Sequence, residues 1–114
     1  MDLLNGVQTG SPECFKHQVI DLQNDYVDGK LTITSSVIYA NTNADVDVNF
    51  EDLITTGLSE SIGSTTFYHI FNISTTNSIT FKMLGNTMFT IPHSGKQYLT
   101  VRIDDAESPP IFYT

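Results

Sequence analysis

Short runs in which apolar and polar residues alternate one for one, each closed by a turn signal, constrain this chain more than any other feature. Leu31, Ile33, Ser35, Val37 and Tyr39 alternate with Lys30, Thr32, Thr34 and Ser36. Val46, Val48 and Phe50 alternate with Asp45, Asp47 and Asn49, which gives that strand one acidic, wet face. Ile79, Phe81 and Met83 form another row, and Leu99, Val101 and Ile103 alternate with Tyr98, Thr100 and Arg102. A period of two is the signature of half-buried strands. Asp28-Gly29, Asn41-Thr42-Asn43, Gly85-Asn86 and Pro92-His93-Ser94-Gly95 punctuate the runs as turns.

Thr65 to Ile73 is strongly β but apolar on both faces, with Phe67, Phe71 and Ile73 on one and Tyr68 and Ile70 on the other. Phe67, Phe71, Phe81, Leu99, Val101 and Ile103 are the expected core. Glu51 to Gly63 reads as a long connection with a helical turn near Asp52 to Thr56. Six to eight strands spaced this way predict an all-β, immunoglobulin-like β-sandwich, with a jelly roll as the alternative.

Residues 12–27 are open to two readings. Ser11-Pro12-Glu13 has the form of a helix start, and Phe15, Val19, Leu22 and Tyr26 share one helical face. The same stretch also reads as a strand from about Phe15 to Leu22 leading into an Asn24-Asp25 turn, and the strand is the reading we favour. The expected organisation is an arm over 1–13, a sandwich over 14–104 and a tail over 105–114.

Charge excludes some partners. With 5 basic and 13 acidic residues the net charge is −8, and no Lys or Arg lies between Leu31 and Phe81. Contact with a nucleic-acid backbone or an anionic membrane needs clustered cations, so neither is an expected partner. No apolar run approaches the length of a membrane span. The first residues have neither a basic stretch nor a long apolar one, so no signal peptide is expected, and synthesis in a cytoplasm is.

Catalytic and metal motifs all fail on inspection. Asp45-x-Asp47-x-Asn49 opens like a calcium loop, but Phe50 stands where Gly is needed and Thr56 where Glu is needed. His17, His69, His93 and Ser94 could serve hydrolysis only if folding brought them together, and no Gly-x-Ser-x-Gly is present. Ser94-Gly95-Lys96 lacks the upstream Gly of a phosphate loop, since Thr90 occupies its place. Cys14 is the single cysteine, which rules out an intrachain disulfide and a thiolate metal cluster. Asn72-Ile73-Ser74 fits the glycosylation pattern but reads as strand. No catalytic, cofactor-binding or metal-ligating residue is therefore expected, and neither is enzyme activity.

The ends carry the candidate contacts. Leu3, Leu4 and Val7 are the apolar anchors of the arm. Pro109-Pro110 precedes Ile111, Phe112 and Tyr113, which either anchor the chain to a neighbour or fold back as a last strand. The expected protein interface is Leu3, Leu4, Tyr68, Ile70, Ile111, Phe112 and Tyr113.

Asp28-Gly29-Lys30-Leu31-Thr32-Ile33-Thr34 and Gln97-Tyr98-Leu99-Thr100-Val101-Arg102-Ile103 resemble strands of small immunoglobulin-like domains. With the Thr/Asn/Ser-rich surface, the whole resembles small virion accessory proteins of tailed bacteriophages. That resemblance implies capsid or tail decoration, action by binding, and partners that are other protein subunits of an oligomeric assembly in the virion. A stand-alone ligand-binding module, taking carbohydrate through Tyr and Asn, is the second reading, against which the absence of Trp counts.

Overall fold

The computed structural model describes residues 15–55, 62–105 and 110–114. Leu3, Leu4, Val7, Cys14, Thr56 and the Ser11-Pro12-Glu13 helix start lie outside them. In chain order the elements are β1 (His17–Asp21), α1 (Leu22–Asp25), β2 (Leu31–Ile33), β3 (Val37–Asn41) and β4 (Val46–Asn49). A 3-10 turn at Phe50–Asp52 follows, then β5 (Leu53–Thr55), β6 (Thr65–Asn72), β7 (Ile79–Met83), β8 (Asn86–Ile91), β9 (Lys96–Arg102) and β10 (Ile111–Tyr113).

The fold is an all-β sandwich. One layer is the five-stranded sheet β1-β3-β6-β9-β10; the β2-β5 pair and the β4-β7-β8 sheet close the other side. All three sheets turn one face to a single core. Ile20, Ile38, Ile70 and Leu99 come from the large sheet, Leu31 and Ile33 from β2, and Val48, Ile79, Phe81 and Ile91 from the third. Phe50 wedges this core shut against Phe81, Phe89 and Phe112, with centroids 4.9–6.2 Å apart.

The pairing is not the all-antiparallel one of an immunoglobulin-like domain or a jelly roll. β1 with β3, β3 with β6, β2 with β5 and β4 with β7 are parallel. Parallel neighbours need a crossover, and here the crossover is the rest of the coil. The chain leaves the large sheet, passes through the small ones and returns one strand further along. Val37 thus lies beside His17, and Leu53 beside Leu31, after about twenty residues. The β7-β8 hairpin reverses the winding, and β9 and β10 complete the large sheet antiparallel.

Each corner has a local cause. Asp28 and Gly29 both take positive φ (54° and 67°), and so do Leu84 and Gly85 (48° and 82°). These are the paired left-handed residues of two-residue turns. At one corner Ile20, Ala40 and Asn72 stand side by side across β1, β3 and β6, all buried. Asn72, 1% exposed, donates Nδ2 to the carbonyls of Asn77, Ile91 and Pro92 and accepts from the Ser74 N–H. A buried amide with every valence used fixes the point where the winding turns back.

Several expectations need correcting. Residues 30–39 are two strands, because the chain turns a corner at Thr34–Ser36 and buried parity switches from Leu31 and Ile33 to Ile38 and Ala40. Leu53–Thr55 is a strand inside what reads as a connection. Over the described part of 12–27 the strand reading fits, as a strand to Asp21 running into one helical turn at Leu22–Asp25 with Asp21 as N-cap accepting from the Gln23 N–H. The helical face of Phe15, Val19, Leu22 and Tyr26 does not form, because Val19 lies in β1. In β6 the faces are reversed: Ile70 is buried and Tyr68 packs on the core, whereas Phe67 is 63% exposed and Phe71 half-buried on the outside. Tyr68 and Ile70 are therefore core residues, not interface, and Phe67 and Phe71 are not core. Residues 111–113 fold back as an edge strand on β9, with Phe112 against Phe50 at 4.9 Å.

Candidate binding surface

The outward face of the five-stranded sheet brings together side chains far apart in sequence. In a ladder, directly opposed residues share a face, so register alone builds the surface. One row runs His17, Val37, His69, Tyr98, and the next runs Val19, Tyr39, Phe71, Lys96. Phe67, Thr100 and Tyr113 form a third.

Tyr39 and Phe71 stack at 4.9 Å and 16°, and the His17 ring meets Tyr39 edge-on at 5.3 Å. His69 leans on Tyr98 at 4.8 Å, and the Lys96 ammonium lies 5.5 Å from the Tyr98 ring centre. At the far edge, Arg102 is pinned by Asp104 at 2.9–3.0 Å and donates to the Tyr113 hydroxyl at 3.0 Å. Asp104, by hydrogen bond and charge, holds the guanidinium proton more firmly than usual. Val19, Phe67, Tyr98 and Tyr113 remain substantially exposed.

The acidic cluster is dispersed by folding. Asp45 accepts from the Ser78 N–H at 2.9 Å, Asp47 pairs with Lys82 at 3.0 Å, and Asp52 accepts the Tyr26 hydroxyl. Burial, then the bond to Asp52, raises the Tyr26 phenol above its ordinary value. Among the described residues no group of three His, Cys, Asp or Glu is placed to hold a metal. His93 and Ser94 form the β8–β9 turn, with Ser94 at φ 58°. His17 and His69 have aromatic neighbours on the outer face. Asn72 Nδ2 is sealed in the corner and out of reach of a glycosyl donor.

Between the sheets lies an apolar cleft of about 160 Å³, walled by core residues such as Ile38, Phe50, Ile70, Leu99 and Phe112. It presents aliphatic and aromatic surface and no carboxylate, imidazole or amine among the residues that line it. No described helix is long and apolar enough to cross a membrane.

Of the seven expected interface residues, Tyr68 and Ile70 face inward, Leu3 and Leu4 lie outside the described residues, and Phe112 packs on Phe50. Ile111 and Tyr113 reach the surface at the sheet edge. Sequence reasoning missed Val19, Tyr39, Phe67 and Phe71 as outer-face residues, and left His69 either packed or at an interface. The signal was present in β9: once Leu99 points inward and Tyr98 outward, register forces His69, opposite Tyr98, outward as well. No family model, curated protein or solved structure matches this chain.

Proposed function

We propose that this chain is a non-enzymatic assembly protein that docks on a neighbouring protein subunit through the outer face of its five-stranded sheet. The observation that carries the reading is the row-by-row aromatic and apolar surface across β1, β3, β6 and β9. Burying Phe67 and Tyr98 on a partner would contribute about 1.5–3 kcal/mol each before ordering costs. The resemblance to virion accessory proteins supports placing the assembly in a virion. The sparse, dispersed cations support partners other than nucleic acid or membrane.

A carbohydrate-binding module is the second reading. Against it, the ring faces a sugar would need are partly used: Tyr39 and Phe71 cover each other, and Lys96 and His69 flank Tyr98.

The test is co-purification from the particle or cell in which the chain is made, comparing wild type with Phe67→Ser/Tyr98→Ser. We expect a defined protein partner with wild type and none with the variant, both folded alike. Glycan binding by wild type that Tyr39→Ala abolishes would overturn the proposal in favour of the carbohydrate module.

A further inference from the structure

The open edge of the large sheet carries a second inference. His69 donates its N–H to Ser36 at 2.8 Å and Ile73 donates to Ala40 at 2.9 Å. Even-numbered residues of β3 therefore face β6, and odd-numbered ones, Val37, Tyr39 and Asn41, turn their backbone groups to β1. The parallel register His17↔Val37 then engages Lys16, Gln18 and Ile20 of β1. His17, Val19 and Asp21 direct their N–H and C=O groups away from the sheet.

The Asp21 N–H is taken by the Asp25 carboxylate at 2.8 Å. Among the described residues nothing pairs with the backbone of His17 or Val19 on that side. Phe15 and Val19, 71% and 64% exposed, lie on this edge. Natural edges are usually blunted by Pro, Lys, a bulge or a covering element; among the described residues β1 has only Lys16 before it and the Asp25 cap at its end.

We propose that β1 pairs antiparallel with β1 of a second copy of this chain, joining two large sheets into one. Charge selects this occupant and this direction. The first end of the edge carries Lys16 and His17, and the last end carries Asp21 and the Asp25 of α1. A twofold axis lays the basic end of each strand against the acidic end of the other, twice. Parallel stacking would set basic on basic and acidic on acidic. In the register that opposes His17 with Val19 of the second copy, the open backbone groups of both residues are used reciprocally and the Asp25 cap stays in place. An interface of this kind is self-complementary and closed. It uses the backbone edge of β1, whereas the outer-face contact uses the side chains of Phe67 and Tyr98 on β6 and β9, so Phe67→Ser/Tyr98→Ser should leave this dimer intact.

Analytical ultracentrifugation of the full chain over a wide concentration range tests this. The expected result is a reversible dimer. Val19→Pro, which removes one edge donor where Pro is tolerated, should weaken it about tenfold or more while the chain stays folded by circular dichroism. Val19→Lys keeps the backbone intact and should act in the same direction, so the test survives if the proline variant misfolds. Lys16→Asp should also weaken the dimer, by setting like charge against the acidic end of the second copy. A wild-type monomer throughout, or a dimer indifferent to all these changes, would overturn the proposal.

Discussion

The two faces of the five-stranded sheet are built from different chemistry. The inner face is aliphatic at its centre, where Ile20, Ile38, Ile70 and Leu99 are each at most 5% exposed, with Tyr68 and Phe112 packed beside them. The outer face holds Tyr39 stacked on Phe71, His69 tilted against Tyr98, and an exposed Phe67. Size and aromaticity alone therefore do not separate core from surface in this protein, since Phe81 is buried while Phe67 is exposed. Branched aliphatics pack the narrow space between sheets, where small shape errors are costly. The rings gain from stacking on a flat surface without full burial.

The largest way to break this contrast lies at the end of the inner column. Asn72→Ala removes the amide that bonds the Asn77 and Ile91 carbonyls and accepts the buried Ser74 N–H, while the Pro92 carbonyl keeps the Gly95 N–H. It should cost at least about 3 kcal/mol in chemical denaturation. A loss below about 1 kcal/mol would mean that water replaces the amide and the corner is not fixed by it.

An outer residue that is half-buried should fall between the extremes. Phe71→Ala removes the stack on Tyr39 and should cost about 1–2 kcal/mol. A cost as large as that of an inner aliphatic would erase the distinction between the faces.

Tyr26, packed against the core, sharpens the comparison through pH. Its phenol is raised in the folded chain by burial and by the Asp52 hydrogen bond. The unfolded chain loses this proton first, near pH 10. The contribution is fully present below that pH and is lost as pH climbs through the raised folded value. Tyr26→Phe should cost about 1 kcal/mol at neutral pH and flatten the alkaline fall in melting temperature. An unchanged alkaline slope would contradict the assignment.

A small effect of the opposite sign is expected where neither face is involved. Leu84 sits at φ 48°, almost fully exposed, in the β7–β8 turn. Leu84→Asn should stabilise by about 1 kcal/mol or somewhat less, because Asn tolerates the left-handed region better. Destabilisation would show that Leu84 makes a contact that stabilises the fold.

Alternation made β4 and β9 legible, because each has one polar face: Asp47 against Val48, and Thr100 against Leu99. The turn at Asp28-Gly29 was equally clear, since few sequences suit two successive positive φ values. β6 was not legible alone. Phe67, His69 and Phe71 compete with Tyr68 and Ile70, and a period of two cannot rank two apolar faces. β5 has three residues, too short for any period. The parallel winding left no trace either, since alternation reports which side of a strand is buried and not which direction its neighbour runs. The outer-face site was missed for the same reason as β6: it is defined by ladder register, which joins Val19, Tyr39, Phe71 and Lys96 across the sheet.

Equilibrium urea unfolding of Ile70→Ala beside Phe67→Ala tests the face assignment on which the candidate surface rests. The account predicts a loss of about 2–5 kcal/mol for Ile70→Ala and below about 0.5 kcal/mol for Phe67→Ala. A Phe67→Ala loss equal to or larger than that of Ile70→Ala would put the aromatic face inside the core and contradict it.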